Sequence, residues 1–231
     1  MQTYLFLVII FFLLIITLGF LIYIKDLRDK EDISKLDCSN IKINNNTIIF
    51  DSLTLKQKIA QMIIVRGDNY KPGFNNLCIG GVFLDKQKTK QDYKSIIKSY
   101  KTNSKIKLFV STDLEGAWNP FKNFTKFPNF SQIKDENQAF ETGKNHGVLL
   151  KSLGFNINFA PVAEFEDLAY GERVFTGSKE EVLGKLTNYI SGLQKNVLGV
   201  CKHFPGKGLI KNTHLRIDSQ KISKDDLELF D

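Results

Sequence analysis

The chain has 231 residues, 42% of them hydrophobic and 25% charged, and a formal net charge of +7. That balance fits a folded protein and excludes a disordered or low-complexity one. The lysines and arginines form no dense cluster interleaved with aromatics, and no zinc spacing or helix-turn-helix signature occurs, so no nucleic-acid partner is expected.

Residues 1–24 carry no charge, and Tyr4 to Ile24 is a continuous apolar run. It is long enough to cross a bilayer of about 30 Å hydrocarbon thickness. It is too long for the core of a cleavable signal, and no Ala-x-Ala site follows. Residues 1–24 therefore read as one transmembrane anchor, embedded in the lipid bilayer through residues 4–24. Lys25, Arg28 and Lys30 follow the run and no Lys or Arg precedes it. The positive-inside rule then places the following domain in the cytoplasm, a periplasmic or extracellular domain being the other orientation. Residues 25–50, polar and holding Asn44-Asn45-Asn46, read as a linker. The globular domain is expected over 51–231.

Cys38, Cys78 and Cys201 contain no CxxC pair, and an odd number argues against a disulfide framework. Cys201 lies in an apolar strand and reads as a small core residue. From Ser52, a candidate cap, a helix is predicted over Leu53–Gln61. Strands are predicted at Met62–Val65, Gly80–Leu84 and Ile106–Val110, with a helix over Lys88–Tyr100 that puts Tyr93, Ile96, Ile97 and Tyr100 on one face. Five aromatics between Ala117 and Ser131 (Trp118, Phe121, Phe124, Phe127 and Phe130) either pack as a lid over a barrel mouth or stack on a sugar ring. A helix over Asp135–Leu153 stops at Gly154. Asn156–Val162 is a fourth strand, with Glu164, Glu166 and Asp167 after it. Ser178-Lys179-Glu180-Glu181 is a capping box for a helix running toward Gly199. The fifth strand opens at Gly199 and leads into Lys202-His203. A last helical pattern, Asp218–Phe230, is capped by Ser223 and turns Leu227 and Phe230 inward.

Strands alternating with helices imply a parallel sheet with right-handed crossovers. Polar residues fall at the carboxyl ends of strands and no GxGxxG follows the first, which favours a (β/α)8 TIM-barrel type over a doubly wound sheet. A closed barrel takes about 250 residues. Only about five β/α units are legible before Asp231, so an incomplete barrel is expected, one whose exposed sheet edges a second chain would complete. At its mouth Asp113, Arg173, Lys202, His203 and His214 would converge. A carboxylate accepts hydrogen bonds from hydroxyls while Arg, Lys and His donate to others, which suits a neutral polyhydroxylated ligand. The three histidines lack metal-ligand spacing and no phosphate loop is present, so neither metal nor cofactor is expected.

Four motifs occur in order: Ser-Thr-Asp113-Leu-Glu115-Gly116, Asn158-Phe-Ala-Pro161-Val162, Gly171-Glu-Arg173-Val-Phe175, and Lys202-His203-Phe-Pro-Gly206-x-Gly208 followed by Asn212-Thr-His214. Together they resemble the N-terminal barrel domain of family 3 glycoside hydrolases, in the β-N-acetylhexosaminidase branch, over roughly Ser52 to Leu215. The resemblance implies a retaining enzyme that removes terminal β-linked N-acetylglucosamine from peptidoglycan fragments. It assigns sugar binding to Asp113, Arg173, Lys202 and His203, and general acid/base catalysis to His214. The family's aspartate nucleophile lies on a later strand than any in this sequence. The expected outcome is little or no hydrolysis by this chain, with a non-catalytic, membrane-anchored binder of cell-wall sugar as the alternative. The sequence departs from the family pattern at Ala117-Trp118, where an arginine is usual, at Lys207, where a histidine is usual, and at Asn212, where a carboxylate usually pairs with the acid/base.

Overall fold

A computed structural model describes residues 17–23, 38, 41–45, 47–166, 171–206 and 222–230. Its elements in chain order are β1 (Ile43–Asn44), β2 (Thr47–Ile48), α1 (Leu55–Gln61), β3 (Ile64–Arg66), α2 (Pro72–Asn76), β4 (Gly81–Phe83), α3 (Lys90–Asn103), β5 (Phe109–Thr112), α4 (Glu136–Leu153), β6 (Ile157–Asn158), α5 (Lys179–Leu193), β7 (Leu198–Gly199) and α6 (Lys224–Glu228). Strands β3 to β7 form one parallel sheet in the order β3-β4-β5-β6-β7. Each strand lies beside its sequence neighbour, so the winding never reverses and has no switch point, as in a barrel.

Local chemistry starts and stops these helices. Thr54, Thr89, Ser178 and Ser223 each close a capping box, and the Asp135 carboxylate accepts from Gln138 N–H. The predicted cap at Ser52 is corrected to Thr54; Ser52 instead lies in a short 3-10 turn. Gly154 ends α4 at φ 104°, a left-handed conformation that glycine adopts at little cost. The helix begun at Ser178 ends at Leu193, short of the expected Gly199. At the end of α6 the C-cap residue Leu229 is buried, whereas Leu227 within the helix is exposed, and Phe230 packs against the core.

Register separates the two faces of the sheet. Val65, Val82 and Val110 are paired across β3, β4 and β5, and Val82 and Val110 are fully buried beneath the helices. The opposite face carries Phe83, Phe109, Ser111, Ile157 and Leu198. Phe109 is 45% and Leu198 52% exposed, so among the described residues this inner face is only partly covered. The main core lies outside the sheet, where Tyr93, Tyr100, Leu150, Leu153, Tyr189 and Leu193 from α3, α4 and α5 meet it.

The aromatic stretch packs rather than standing free. Phe121 and Phe130 are fully buried, Phe121 against Tyr93 and Phe155, Phe130 against Phe175 and Tyr189. Trp118 alone of the five is exposed.

Two sequence expectations meet the structure differently. Cys38 and Cys78 form a disulfide, with Cα atoms 5.7 Å apart, which corrects the reading against disulfides: the odd count reflects one pair plus the free Cys201. Within the stretch read as linker, Ile41 is buried with Leu53, Ala60, Cys78 and Ile106, and β1 pairs with β2. Of the expected span, residues 17–23 are helical and exposed, and the rest lies outside the described residues. Among the described residues, no helix is long and apolar enough to cross a membrane.

Candidate functional site

The carboxyl ends of β5, β6 and β7 bring the charged residues together. Beyond β7 the chain stays alongside β6 through an isolated bridge between Val162 and Lys202. Ala163 N–H donates to Lys202 O at 2.6 Å, and Lys202 N–H donates to Pro161 O at 3.1 Å. This extension fixes Lys202 above the sheet, where its Nζ donates to Asp113 Oδ1 at 2.7 Å and contacts Glu115 Oε1. Arg173 Nη1 reaches the other Glu115 oxygen at 3.2 Å. The Glu115 side chain, 4% exposed, thus lies between two cations. Two carboxylates facing an ammonium and a guanidinium balance in formal charge, which suits a neutral ligand better than an anionic one.

Burial pushes the Asp113 carboxyl above its ordinary range, Lys202 opposes that rise, and the negative charges of Glu115 and Asp85 add to it. Asp85 belongs to a rim at the ends of β3 and β4. There Arg66 donates to Asp68 at 2.5 Å and to Asp85 at 2.7 Å.

His203 follows Lys202, with Nδ1 2.8 Å from Glu164 Oε1. Glu164 is fully buried, whereas the His203 side chain is 46% exposed. The peptide bonds Ala160–Pro161, Lys202–His203 and Phe204–Pro205 are cis. Phe204 meets Phe230 edge to face at 5.4 Å, which ties this loop to α6. Lys179 at the start of α5 in turn binds Asp225 and Glu228 of α6.

The loop carrying Asp113 and Glu115 is held from below. Asn158 is fully buried on the helix-facing side of the sheet. Its Oδ1 accepts from Leu114 N–H at 2.9 Å and its Nδ2 donates to Leu114 O at 3.1 Å. Nδ2 also lies 3.4 Å from the Tyr189 hydroxyl, which is 2.9 Å from His146 Nδ1. Accepting from Asn158, Tyr189 donates onward, so His146 Nδ1 is the acceptor of a neutral ring. Burial agrees, lowering His146 to about 3 and raising the Tyr189 hydroxyl. At the turn after Glu115, Gly116 has φ 75°, and a Cβ there would come 2.7 Å from the Phe130 ring.

Of the residues singled out in the sequence, Asp113, Arg173, Lys202 and His203 are brought to one mouth, Arg173 through Glu115. His214 lies outside the described residues, as do Lys207 and Asn212. Sequence reasoning passed over Glu115, Glu164 and Asn158 as site residues. Acidic side chains in the loops just past predicted strands were the available signal for the two glutamates. Nothing in the sequence marked Asn158 as a clamp on a loop 44 positions away. Among the described residues no group of three or more His, Cys, Asp or Glu side chains could hold a metal ion.

The sequence profile of the glycosyl hydrolase family 3 N-terminal domain matches residues 54–231. The β-hexosaminidase LpqI of Mycobacterium tuberculosis is 32% identical over 83 residues, which are 34% of this chain and 21% of that protein. The chain thus spans about a fifth of the length of this curated relative. Among solved structures, a family 3 β-N-acetylglucosaminidase from Paenibacillus sp. superposes with a TM-score of 0.61 at 24% identity, covering 67% of this chain and 34% of that one. NagZ from Neisseria gonorrhoeae, in complex with N-trifluoroacetyl-D-glucosamine, superposes with a TM-score of 0.62 at 23% identity, covering 72% and 57%. These likenesses establish the barrel-type fold.

Proposed function

Given that this chain belongs to the glycosyl hydrolase family 3 N-terminal domain family, we propose that its mouth binds a terminal β-linked N-acetylglucosamine of cell-wall saccharides, as the sugar-gripping half of a β-N-acetylhexosaminidase. The observation that carries this reading is the charge-balanced set of Asp113, Lys202, Glu115 and Arg173, with His203 beside it, at the carboxyl ends of a parallel sheet. Asp113 accepts from sugar hydroxyls while Lys202 and Arg173 donate to ring substituents. His214 is the proposed general acid/base, protonating the leaving oxygen and then activating water. A retaining reaction also uses a carboxylate nucleophile, which the resemblance places on a later strand of the family's barrel.

Thermal unfolding with N-acetylglucosamine tests the binding, and release of an aryl group from an aryl N-acetyl-β-glucosaminide tests the chemistry. Stabilisation by the sugar, weakened by Asp113→Ala and Lys202→Ala, is the expected result, with any aryl release lost in His214→Ala. Absence of any sugar-dependent shift refutes the binding reading. Aryl release that His214→Ala leaves unchanged refutes the acid/base assignment.

The same proposal places the domain on an oxidising side of a membrane, tethered by the apolar run 4–24. The Cys38–Cys78 disulfide supports this side over the cytoplasmic one read from the flanking lysines. Protection of the domain from protease added to intact cells refutes it.

A further inference from the structure

We propose that Glu164 is a positioning residue that fixes His203 as the Nδ1–H tautomer and so makes its Nε2 a hydrogen-bond acceptor for the sugar. The inference rests on the sugar-binding reading above for its ligand, but not for its geometry.

Glu164 lies two residues past Val162, and the Val162–Lys202 bridge brings its stretch of chain alongside the one that carries His203. Its Oε1 is 2.8 Å from His203 Nδ1 and 3.4 Å from the His203 backbone nitrogen. A backbone N–H can only donate, so Oε1 acts as an acceptor there. The same oxygen in the same role requires the proton on Nδ1. The second oxygen, Oε2, is buried and has no hydrogen-bond partner among the described residues, so the carboxyl's described bonds are all made to His203. Glu164 is fully buried and the imidazole half exposed, so the exposed part of the ring is the edge away from the carboxylate.

With Nδ1 protonated, that edge of the neutral ring carries a lone pair. Lys202 and Arg173, the cations of the mouth, can only donate. His203 therefore adds a nitrogen acceptor to the mouth, suited to a sugar hydroxyl or an acetamido N–H. This reverses the donor role expected of His203 from its residue type. It also gives the mouth a means of discrimination, because a saccharide lacking that donor leaves the Nε2 lone pair unpaired.

The chain contains three histidines, which makes imidazole nitrogen spectroscopy tractable. Long-range proton–nitrogen correlation spectra of the 15N-labelled 231-residue chain, assigned with His203→Gln, are recorded at a pH where the ring is neutral. The expected pattern is a single Nδ1–H tautomer for His203, replaced in Glu164→Leu by a mixture or by Nε2–H. An Nε2–H pattern in the unsubstituted protein overturns the proposal, even if Glu164→Leu fails to fold. So does an unchanged Nδ1–H pattern in a folded Glu164→Leu protein. N-acetylglucosamine is then titrated in. Movement of the His203 Nε2 resonance, with affinity lowered on the order of tenfold in Glu164→Leu, supports the acceptor role. Binding that leaves Nε2 unmoved overturns that role. No binding at all overturns the sugar reading beneath it, while the tautomer result still decides what Glu164 does.

Discussion

Replacing Lys202 by Met tests how the mouth is held together. The Lys202 side chain is 17% exposed and bonds Asp113 at 2.7 Å while also contacting Glu115. Removing one partner of a fully buried ion pair costs about 3–5 kcal/mol. Here Asp113 retains 27% exposure and Arg173 still neutralises Glu115, so the expected loss is about 2 kcal/mol. The pH dependence has a definite sign. Asp113 is already above its ordinary range through burial, and Lys202 is the main influence opposing that rise. Without Lys202 its folded-state pKa climbs further, so protonation favours the native state more strongly in the variant. The penalty is full at neutral pH and shrinks as pH falls through the raised pKa of Asp113. Urea unfolding of both proteins at about pH 7.5 and about pH 5 measures this. Asp113→Asn in the Lys202→Met background should recover part of the loss, because it removes the uncompensated charge. A penalty below about 0.5 kcal/mol at the higher pH, or a gap that widens on acidification, refutes the ion-network account.

Three further perturbations probe the scaffold beneath the mouth. His146 is held near 3 by burial against an ordinary value of 6.5. The unfolded chain therefore takes up a proton that the native state refuses, and stability falls as pH drops from about 6.5 toward 3, by up to about 1.4 kcal/mol per pH unit. His146→Gln should flatten that slope in denaturation curves across the range, and an unchanged slope counts against the buried neutral ring. Asn158→Leu removes both bonds to Leu114 and leaves a buried N–H and C=O unpaired, an expected loss of about 2–4 kcal/mol with weakened sugar binding; undiminished affinity would show that the clamp does not position Asp113. The Cys38–Cys78 link closes a loop at a sequence separation of 40, so Cys38→Ser or a reductant should lower stability by about 4 kcal/mol in urea titrations, and a reductant should then have no further effect on the variant.

Much of the architecture is legible because its determinants are local. Capping residues stand next to the helices they start, Gly154 stands where α4 must end, and short apolar runs mark each strand. Even so, the strand ends move by one to four residues. Met62, read as the start of a strand, caps the end of α1 and is 85% exposed, and β5 runs to Thr112 rather than stopping at Val110. Strand ends depend on which neighbour supplies the hydrogen bonds, and that neighbour is remote in sequence. The reading of Leu227 as inward fails for a similar reason, since a five-residue helix has too few turns for periodicity to choose its face.

The sequence alone determined the order of β/α units, the sequential parallel winding that follows from it, and the presence of Asp113, Arg173, Lys202 and His203 at strand ends and in the loops beyond them. Those are consequences of apolar periodicity, capping chemistry and turn residues, which act over a few positions. Tertiary structure decided which charges face each other. Lys202 meets Asp113 across 89 positions, Arg173 meets Glu115 across 58, and Glu164 meets His203 across 39. It also decided that Cys38 reaches Cys78 and that Asn158 grips the loop between the two acidic residues of the mouth. The physical reason is common to all of them. A hydrogen bond or ion pair falls off within a few ångströms, and only the packing of strands, helices and loops brings residues this far apart in the chain within that distance.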